Sequence, residues 1–247
     1  MPHRTLGIDE VAQYLHLNPL EVERLVKDQD IPFERRGGRV VFRKIDLDAW
    51  ASPRVLSLEG RRLVDYHQKS LGHVPTVTSD EALFPSILKP EFINPGLAAK
   101  TKASVLREMT ALANRTGLVC DSSALLAGLE AREKICSTGL PGGLALLHMS
   151  EPEAYLFQSM FVVVGRTVQE IPFGAPDGRP TDLFFLIACP DPSSHLHILA
   201  RICLMAETTD LMTTLRSAPQ APGMYDCLVG AETAALNKSF VSSRCVK

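Results

Sequence analysis

The chain has 247 residues, of which 45% are hydrophobic and 22% charged, the balance of an ordinary soluble protein with apolar mass for one large or two modest domains. A formal charge of −2 excludes nucleic-acid binding by bulk charge. No apolar run of about 18 residues is present to span a membrane, and the opening MPHRTLGIDE lacks a secretory signal's apolar segment. The cysteines at 120, 136, 189, 203, 227 and 245 form no CxxC pair, so neither a zinc site nor a disulfide scaffold is expected. Those inside LIACP and RICLM read as small buried hydrophobes. The expectation is a cytoplasmic protein without metal or cofactor.

Ile8, Val11, Ala12 and Leu15 recur at helical spacing within residues 5–16, with Thr5 in the cap region. Leu17-Asn18-Pro19 breaks this helix. Asn18 is a good N-cap, and Pro19 suits the first position of a second helix, Leu20 to Lys27. Two short helices about a tight turn give the helix-turn-helix outline. Pro32–Arg35 and Arg39–Phe42 then read as strands around Gly37-Gly38, and Ile45–Trp50 reads as a closing helix. From Phe33 to Lys44 five basic residues stand against one acid, so the electrostatic footprint is local. Arg24 and Lys27 on the second helix, with Arg35, Arg36, Arg39, Arg43 and Lys44 on the wing, are the candidate DNA contacts. Such contacts to phosphate supply affinity without sequence information. Glu21 and Glu23 on the second helix repel phosphate, although a glutamate can accept from a cytosine amino group. The same small fold also serves as a protein-docking module.

Residues 54–80 read as a linker, partly helical over Leu56–Lys69, and SLGHVPTVTSDEA is polar with a proline. His3, His16, His67 and His73 read as surface or linker residues. The second domain, residues 81–247, opens with an amphipathic helix in LREMTALANRTGLV, with Leu106, Met109, Leu112 and Ala113 on one face and Gly117 as its stop. A helix over Asp121–Arg132 follows. Strands are expected at Leu144–Leu147, Phe157–Val164 and Leu183–Ala188, and a helix at Ser194–Thr208 after the DPSS cluster. This alternation predicts an α/β fold, a sandwich with a mixed sheet flanked by helices.

The stretch REKICSTGLPGGLALLH, Arg132 to His148, carries the chemistry. Neutral imidazole can attack phosphorus, and guanidinium can neutralise phosphoryl oxygens. The expectation is that Arg132, from the end of one helix, and His148, closing a strand, converge on one small solvent-facing hollow. The bland readings stand beside this one. A histidine ending an apolar strand is more often structural, Arg132 suits a helix C-terminus by its dipole, His195 and His197 suit a helix start, and Asp177-Gly178 suits a turn.

The front segments GIDEVAQYLHLNPLEVERLV and IPFERRGGRVVFRKIDLDAW resemble the excisionase-like, MerR-related winged helix-turn-helix family, over residues 1–53. TKASVLREMTALANRTGLV, AREKICSTGLPGGLALLH, IPFGAPDGRPTDLFFLIACP and SSHLHILARI, in that order over about residues 83–236, resemble the enzyme IIA domain of the fructose/mannitol class of the sugar phosphotransferase system. That class includes the nitrogen-related regulatory IIA proteins. The resemblance implies that His148 is the phosphorylated histidine, that Arg132 is the active-site arginine, and that His195 is the second histidine shaping the pocket. Ser137 and Thr138 are candidates to add hydroxyls. Leu147 and Met149 depart from the family's usual proline before the histidine and small residue after it. Pro141-Gly142-Gly143 departs from its usual glycine–polar–glycine turn.

The implied function is regulatory: His148 accepts a phosphoryl group from a histidine phosphocarrier, and its charge state alters DNA or partner binding by the front module. The alternatives are a soluble IIA phosphotransferase subunit handing phosphate to a sugar transporter IIB domain, or a non-phosphorylated binding module. Candidate partners are therefore the phosphocarrier, a IIB domain or regulatory target, DNA, and a second copy of the chain; membrane insertion is not expected.

Overall fold

The computed structural model describes residues 5–71, 82–150, 155–190 and 192–244. His3, His73, Cys245 and most of the expected polar linker lie outside them. Among the described residues no helix is long and apolar enough to cross a membrane.

The front module begins with β1 (Thr5–Leu6), α1 (Ile8–Leu15) and α2 (Pro19–Lys27). Thr5 is thus a strand residue, and Gly7 occupies the cap, its N–H donating to Glu10 Oε2 at 2.8 Å. Asn18 accepts from Leu20 N at 3.0 Å while Glu21 reaches back to Asn18 N at 2.8 Å, closing the reciprocal cap that starts α2. β2 (Glu34–Arg36) and β3 (Arg39–Arg43) form a hairpin. Its two-residue turn, Gly37 and Gly38, has φ of 56° and 78°, the paired positive values that match a hairpin to strand twist. β1 pairs on the other side of β3, giving the order β1-β3-β2.

α3 (Lys44–Leu56) runs well beyond the helix expected to close at Trp50. Leu47, Ala51 and Val55 continue one buried stripe, and that stripe carries the helix through Pro53 into the expected linker. α4 (Gly60–Leu71) follows, with Leu63, His67 and Ser70 buried at i, i+4 and i+7. This overturns the surface reading of His67, which is fully buried, and of His16, which is 2% exposed. Their polarity suggested solvent, but both lie in the part of the module that meets the second half of the chain.

The second half comprises α5 (Phe84–Ile87), a 3-10 turn at Pro90–Phe92, β4 (Ile93–Leu97), α6 (Lys102–Arg115), α7 (Ser122–Ile135), β5 (Gly139–Leu140), β6 (Leu144–Leu147), β7 (Phe161–Ile171), β8 (Thr181–Ala188), α8 (Pro192–Thr208), α9 (Leu211–Ser217) and α10 (Ala221–Arg244). Its sheet is mixed, in the order β4-β7-β8-β6-β5. β4 runs parallel to β7 and β6 parallel to β8, while β7–β8 and β5–β6 are antiparallel. β6 (LALL) and the LFFLIA run of β8 are buried at every residue, as strands covered on both faces must be. The fold is thus a small winged helix-turn-helix joined to an α/β body with a mixed sheet flanked by helices, as its periodicities predict. α7 extends a turn past Arg132, so Arg132 lies within the helix rather than at its end.

Candidate functional site

Topology brings the site together. β6 and β8 are parallel neighbours, so their C-terminal ends open on the same edge of the sheet. β6 delivers His148 there, and β8 leads into α8, whose first turn carries His195. The two imidazoles meet with ring centroids 4.9 Å apart and planes tilted by 50°. The last turns of α7 bring Arg132 from the side.

The hydrogen bonds fix the protonation of His148. Its Nδ1 lies 2.7 Å from the Leu146 carbonyl, which can only accept, so Nδ1 carries the proton. Nε2 then holds a free lone pair, and Arg132 Nε donates to it at 3.1 Å. Burial holds His148 well below the usual histidine range, with His195 and Arg132 adding to the effect and the Leu146 hydrogen bond opposing it. Burial likewise pushes His195 down to about 3, helped by Arg132 and Lys44. Both rings are neutral at physiological pH. The His195 Nε2 is enclosed and makes no hydrogen bond among the described residues.

Arg132 is 1% exposed. Its Nη1 donates to the Cys136 carbonyl at 2.9 Å, while Nη2 is buried and lacks a partner among the described residues. No carboxylate pairs with it among the described residues. A neutral nucleophilic nitrogen therefore sits against a buried cation that has no carboxylate partner among the described residues, an arrangement that favours an incoming anion. The expected solvent-facing hollow is not found: His148 is also only 1% exposed. Convergence and burial occur together because α8, which carries His195 against the His148 ring, lies over this edge of the sheet.

Ser137 and Thr138 are committed elsewhere. Ser137 Oγ donates to the Phe173 carbonyl at 2.7 Å, and Thr138 Oγ1 donates to Glu133 at 2.7 Å, a carboxylate also paired with Lys102 at 2.7 Å. The Pro141-Gly142-Gly143 turn has a defined geometry of its own. Gly143 has φ of 87°, and a Cβ there would lie 2.5 Å from Arg216 Nη2. Arg216 ties the turn down through the Gly142 carbonyl and Asp182, each at 2.6 Å. Asp177, read as a simple turn residue, also accepts from Gly142 N at 3.0 Å. Leu147 is a buried strand residue paired with Leu186. Met149 lies over α7 at Gly128, where a Cβ would meet its Cε at 2.1 Å. A glycine on the helix thus accommodates the bulk after the histidine.

The candidate DNA contacts are spread over the module. Arg24, Lys27, Arg35, Arg36 and Arg39 are exposed. Arg24 pairs with Asp28 at 3.6 Å, Arg36 with Glu34 at 2.7 Å and Arg43 with Asp46 at 3.0 Å, while Arg35 lies over the Phe33 ring at 6.0 Å. Lys44 is half-buried at the start of α3, near enough to His195 to disfavour its protonation.

A second buried cluster escaped sequence reasoning. Arg201 Nε donates to His67 Nε2 at 2.6 Å, Arg201 Nη1 pairs with Glu232 at 2.6 Å, and Ser70 Oγ bonds His197 Nδ1 at 2.7 Å. Glu232 also accepts from Leu83 N and Phe84 N at the start of α5, at 2.8 and 2.9 Å. An arginine within the apolar run HLHILARICLM, and the stripe Leu63/His67/Ser70, were the available signals.

Residues 86–228 match the family described as "Phosphoenolpyruvate-dependent sugar phosphotransferase system, EIIA 2", and residues 5–54 match that of a helix-turn-helix domain. The chain is 32% identical over 134 residues to a nitrogen regulatory protein of Pseudomonas aeruginosa, covering 53% of this chain and 85% of that protein. It is also 32% identical over 145 residues to a nitrogen regulatory protein of Bradyrhizobium diazoefficiens, covering 58% and 92%. The crystal structure of nitrogen regulatory protein IIA-Ntr from Neisseria meningitidis is similar with a TM-score of 0.55 at 26% identity, over 60% of this chain and 99% of that one.

Proposed function

The chain belongs to the EIIA 2 family of the phosphoenolpyruvate-dependent sugar phosphotransferase system, and we propose that it is a cytoplasmic regulatory phosphoryl acceptor whose state is read by its helix-turn-helix module. The phosphoryl group comes from the phosphohistidine of a phosphocarrier. The donor N–P bond breaks as a new bond forms between phosphorus and His148 Nε2. The proton on His148 Nδ1 stays there, hydrogen-bonded to the Leu146 carbonyl, and the departing imidazole keeps the proton on its other nitrogen, so charge and protons balance. Transfer between imidazoles needs in-line positioning and neutralisation of three oxygens rather than covalent help. Arg132 supplies that neutralisation once its Nε yields the lone pair of Nε2 and its unpartnered Nη2 turns to the oxygens. His195, in the first turn of α8, borders the same space, where the positive end of the helix dipole favours anions.

The observation that carries this reading is a buried guanidinium, unpaired with any carboxylate among the described residues, beside a neutral, lone-pair-bearing imidazole nitrogen. Incubation with phosphoenolpyruvate, enzyme I and the phosphocarrier is expected to place acid-labile phosphate on the wild-type chain and none on His148→Ala. Equal label on the two would overturn the assignment. The phosphate adds nearly two negative charges beneath α8, against which the front module packs, and this is the route by which DNA or partner binding would sense it.

A further inference from the structure

Arg132 and His148 reach the site from different elements, and a backbone carbonyl holds each of them. The first carbonyl belongs to Cys136, the extended residue that ends α7. The second belongs to Leu146, whose own N–H donates to the Thr138 carbonyl at 3.1 Å. That bond continues the β5–β6 ladder one step beyond the Gly139–Ala145 pair. Residues 136–138 thus hold the guanidinium directly and the imidazole through one hydrogen bond. Side chains in turn fix this short segment. The Glu133 carboxylate accepts from Thr138 N at 3.0 Å and from Thr138 Oγ1 at 2.7 Å. Lys102 Nζ, in the first turn of α6, pairs with that carboxylate at 2.7 Å and donates to the Phe173 carbonyl at 3.1 Å. Ser137 Oγ donates to the same carbonyl. Glu133 and Thr138 are buried, where hydrogen bonds are stronger than in water and stiffen the backbone that carries them. Among the described residues Lys102, Glu133 and Thr138 make no side-chain hydrogen bond to Arg132 or His148.

We infer that Lys102, Glu133 and Thr138 are positioning residues for phosphoryl transfer, acting through the Cys136 and Leu146 carbonyls on the aim of the Arg132 guanidinium and on the tautomer of His148. The Leu146 carbonyl keeps the proton on Nδ1, so Nε2 stays the bare nitrogen that attacks. The Cys136 carbonyl keeps the guanidinium against that nitrogen, where the phosphoryl oxygens arrive. A misplacement of about 1 Å in such a support can cost a hundredfold in rate. The network touches no donor, so its loss falls on kcat and leaves KM for the phosphocarrier unchanged. This role rests on His148 being the acceptor, so its test carries a readout that does not depend on transfer.

Initial labelling rates from phosphoenolpyruvate and enzyme I are measured against phosphocarrier concentration for the full-length wild type, Thr138→Val, Thr138→Ser, Lys102→Met and Lys102→Arg. NMR spectra of the histidine ring nitrogens, with the His148 signals assigned from His148→Ala, report its tautomer in the same set. Thr138→Val keeps the shape and loses the hydroxyl. It is expected to lower kcat roughly tenfold at unchanged KM, the equivalent of one buried hydrogen bond, and to admit the Nε2–H tautomer of His148. Thr138→Ser, which keeps a hydroxyl, is expected to match wild type in both. Lys102→Met, at the half-buried end of the network, is expected to lower kcat about threefold, with Lys102→Arg restoring it. That pair carries the test should Thr138→Val fail to fold. Unchanged kcat and unchanged ring signals in the folded variants overturn the inference. A rise in KM at constant kcat overturns it too, because it assigns these residues to donor binding. A tautomer shift in Thr138→Val with no label on any chain, wild type included, supports the hold on His148 and overturns the acceptor reading instead.

Discussion

A guanidinium enclosed by protein without a carboxylate carries a desolvation penalty of several kcal/mol, and among the described residues Arg132 has one carbonyl, one thiol and one imidazole as partners, no carboxylate, and one unused nitrogen. A residue selected for stability would be paired or replaced by hydrocarbon. Arg132→Met keeps the volume and removes the charge, so it is expected to leave unfolding free energy unchanged or to raise it by about 1–4 kcal/mol. The same change is expected to lower the labelling rate by about a hundredfold or more, the usual cost of deleting a charge-stabilising donor. Urea denaturation and the labelling assay on one preparation check both halves. A loss of several kcal/mol in stability would make Arg132 a structural residue. Gly128 shows the same priority of site over element: a mid-helix glycine costs about 1 kcal/mol relative to alanine, and here it admits the side chain next to His148.

At the level of elements, α4, α8 and α10 are locked by histidines that must stay neutral. His67 is held down to about 3, first by burial and then by Arg201, and faces His197, Ser70 and, through Arg201, Glu232. In the unfolded chain it titrates near 6.5. Above that pH neither state binds the proton, and the contribution is constant. As pH falls below 6.5 only the unfolded state takes up a proton, so stability declines by about 1.4 kcal/mol per unit until pH approaches 3. At pH 5 His67 alone removes about 2 kcal/mol. His67→Gln cannot charge, so its loss between pH 7 and pH 5 is expected to be smaller than wild type by that amount in urea titrations. Identical losses would contradict a buried neutral His67. The elements themselves were mostly legible: the cap at Asn18, the Gly37-Gly38 turn and the apolar strands β6 and β8 each declare their structure within a few residues. Arg132, His148 and His195 were legible as a set, from chemistry and from the family resemblance together. The burial of His67 was not, because its partners lie 130 and 134 residues away, at His197 and Arg201 (197 − 67 = 130). Burial of His148 was hidden for the same reason, since a local pattern cannot report which element lies above it.

Across the whole molecule, the His148 site and the front module both border α8, and the module's basic residues concentrate in its hairpin, so the wing's role is testable without knowing a DNA sequence. Docking occupies Lys44 and the faces of α1, α3 and α4, and leaves α2 and the hairpin tip outward. α2 presents Glu21 and Glu23 beside Arg24 and Lys27, a mixed surface that weakens the phosphate's pull on that helix. If the module binds DNA, the affinity comes chiefly from the hairpin, where Arg39 makes no ion pair among the described residues and Arg36 shares its charge with Glu34. Replacing Arg36 and Arg39 together by alanine is expected to weaken binding to all genomic fragments alike, by about tenfold. It is also expected to reduce the slope of log affinity against log salt by about 2, since each phosphate contact contributes about 0.9. Gel shifts between 50 and 200 mM salt read both quantities. Uniform loss identifies the wing as a backbone clamp, whereas loss confined to particular sequences would assign it to base readout. Binding unchanged in the double variant would remove the wing from the DNA interface and leave the module as a docking element for α8 or another protein.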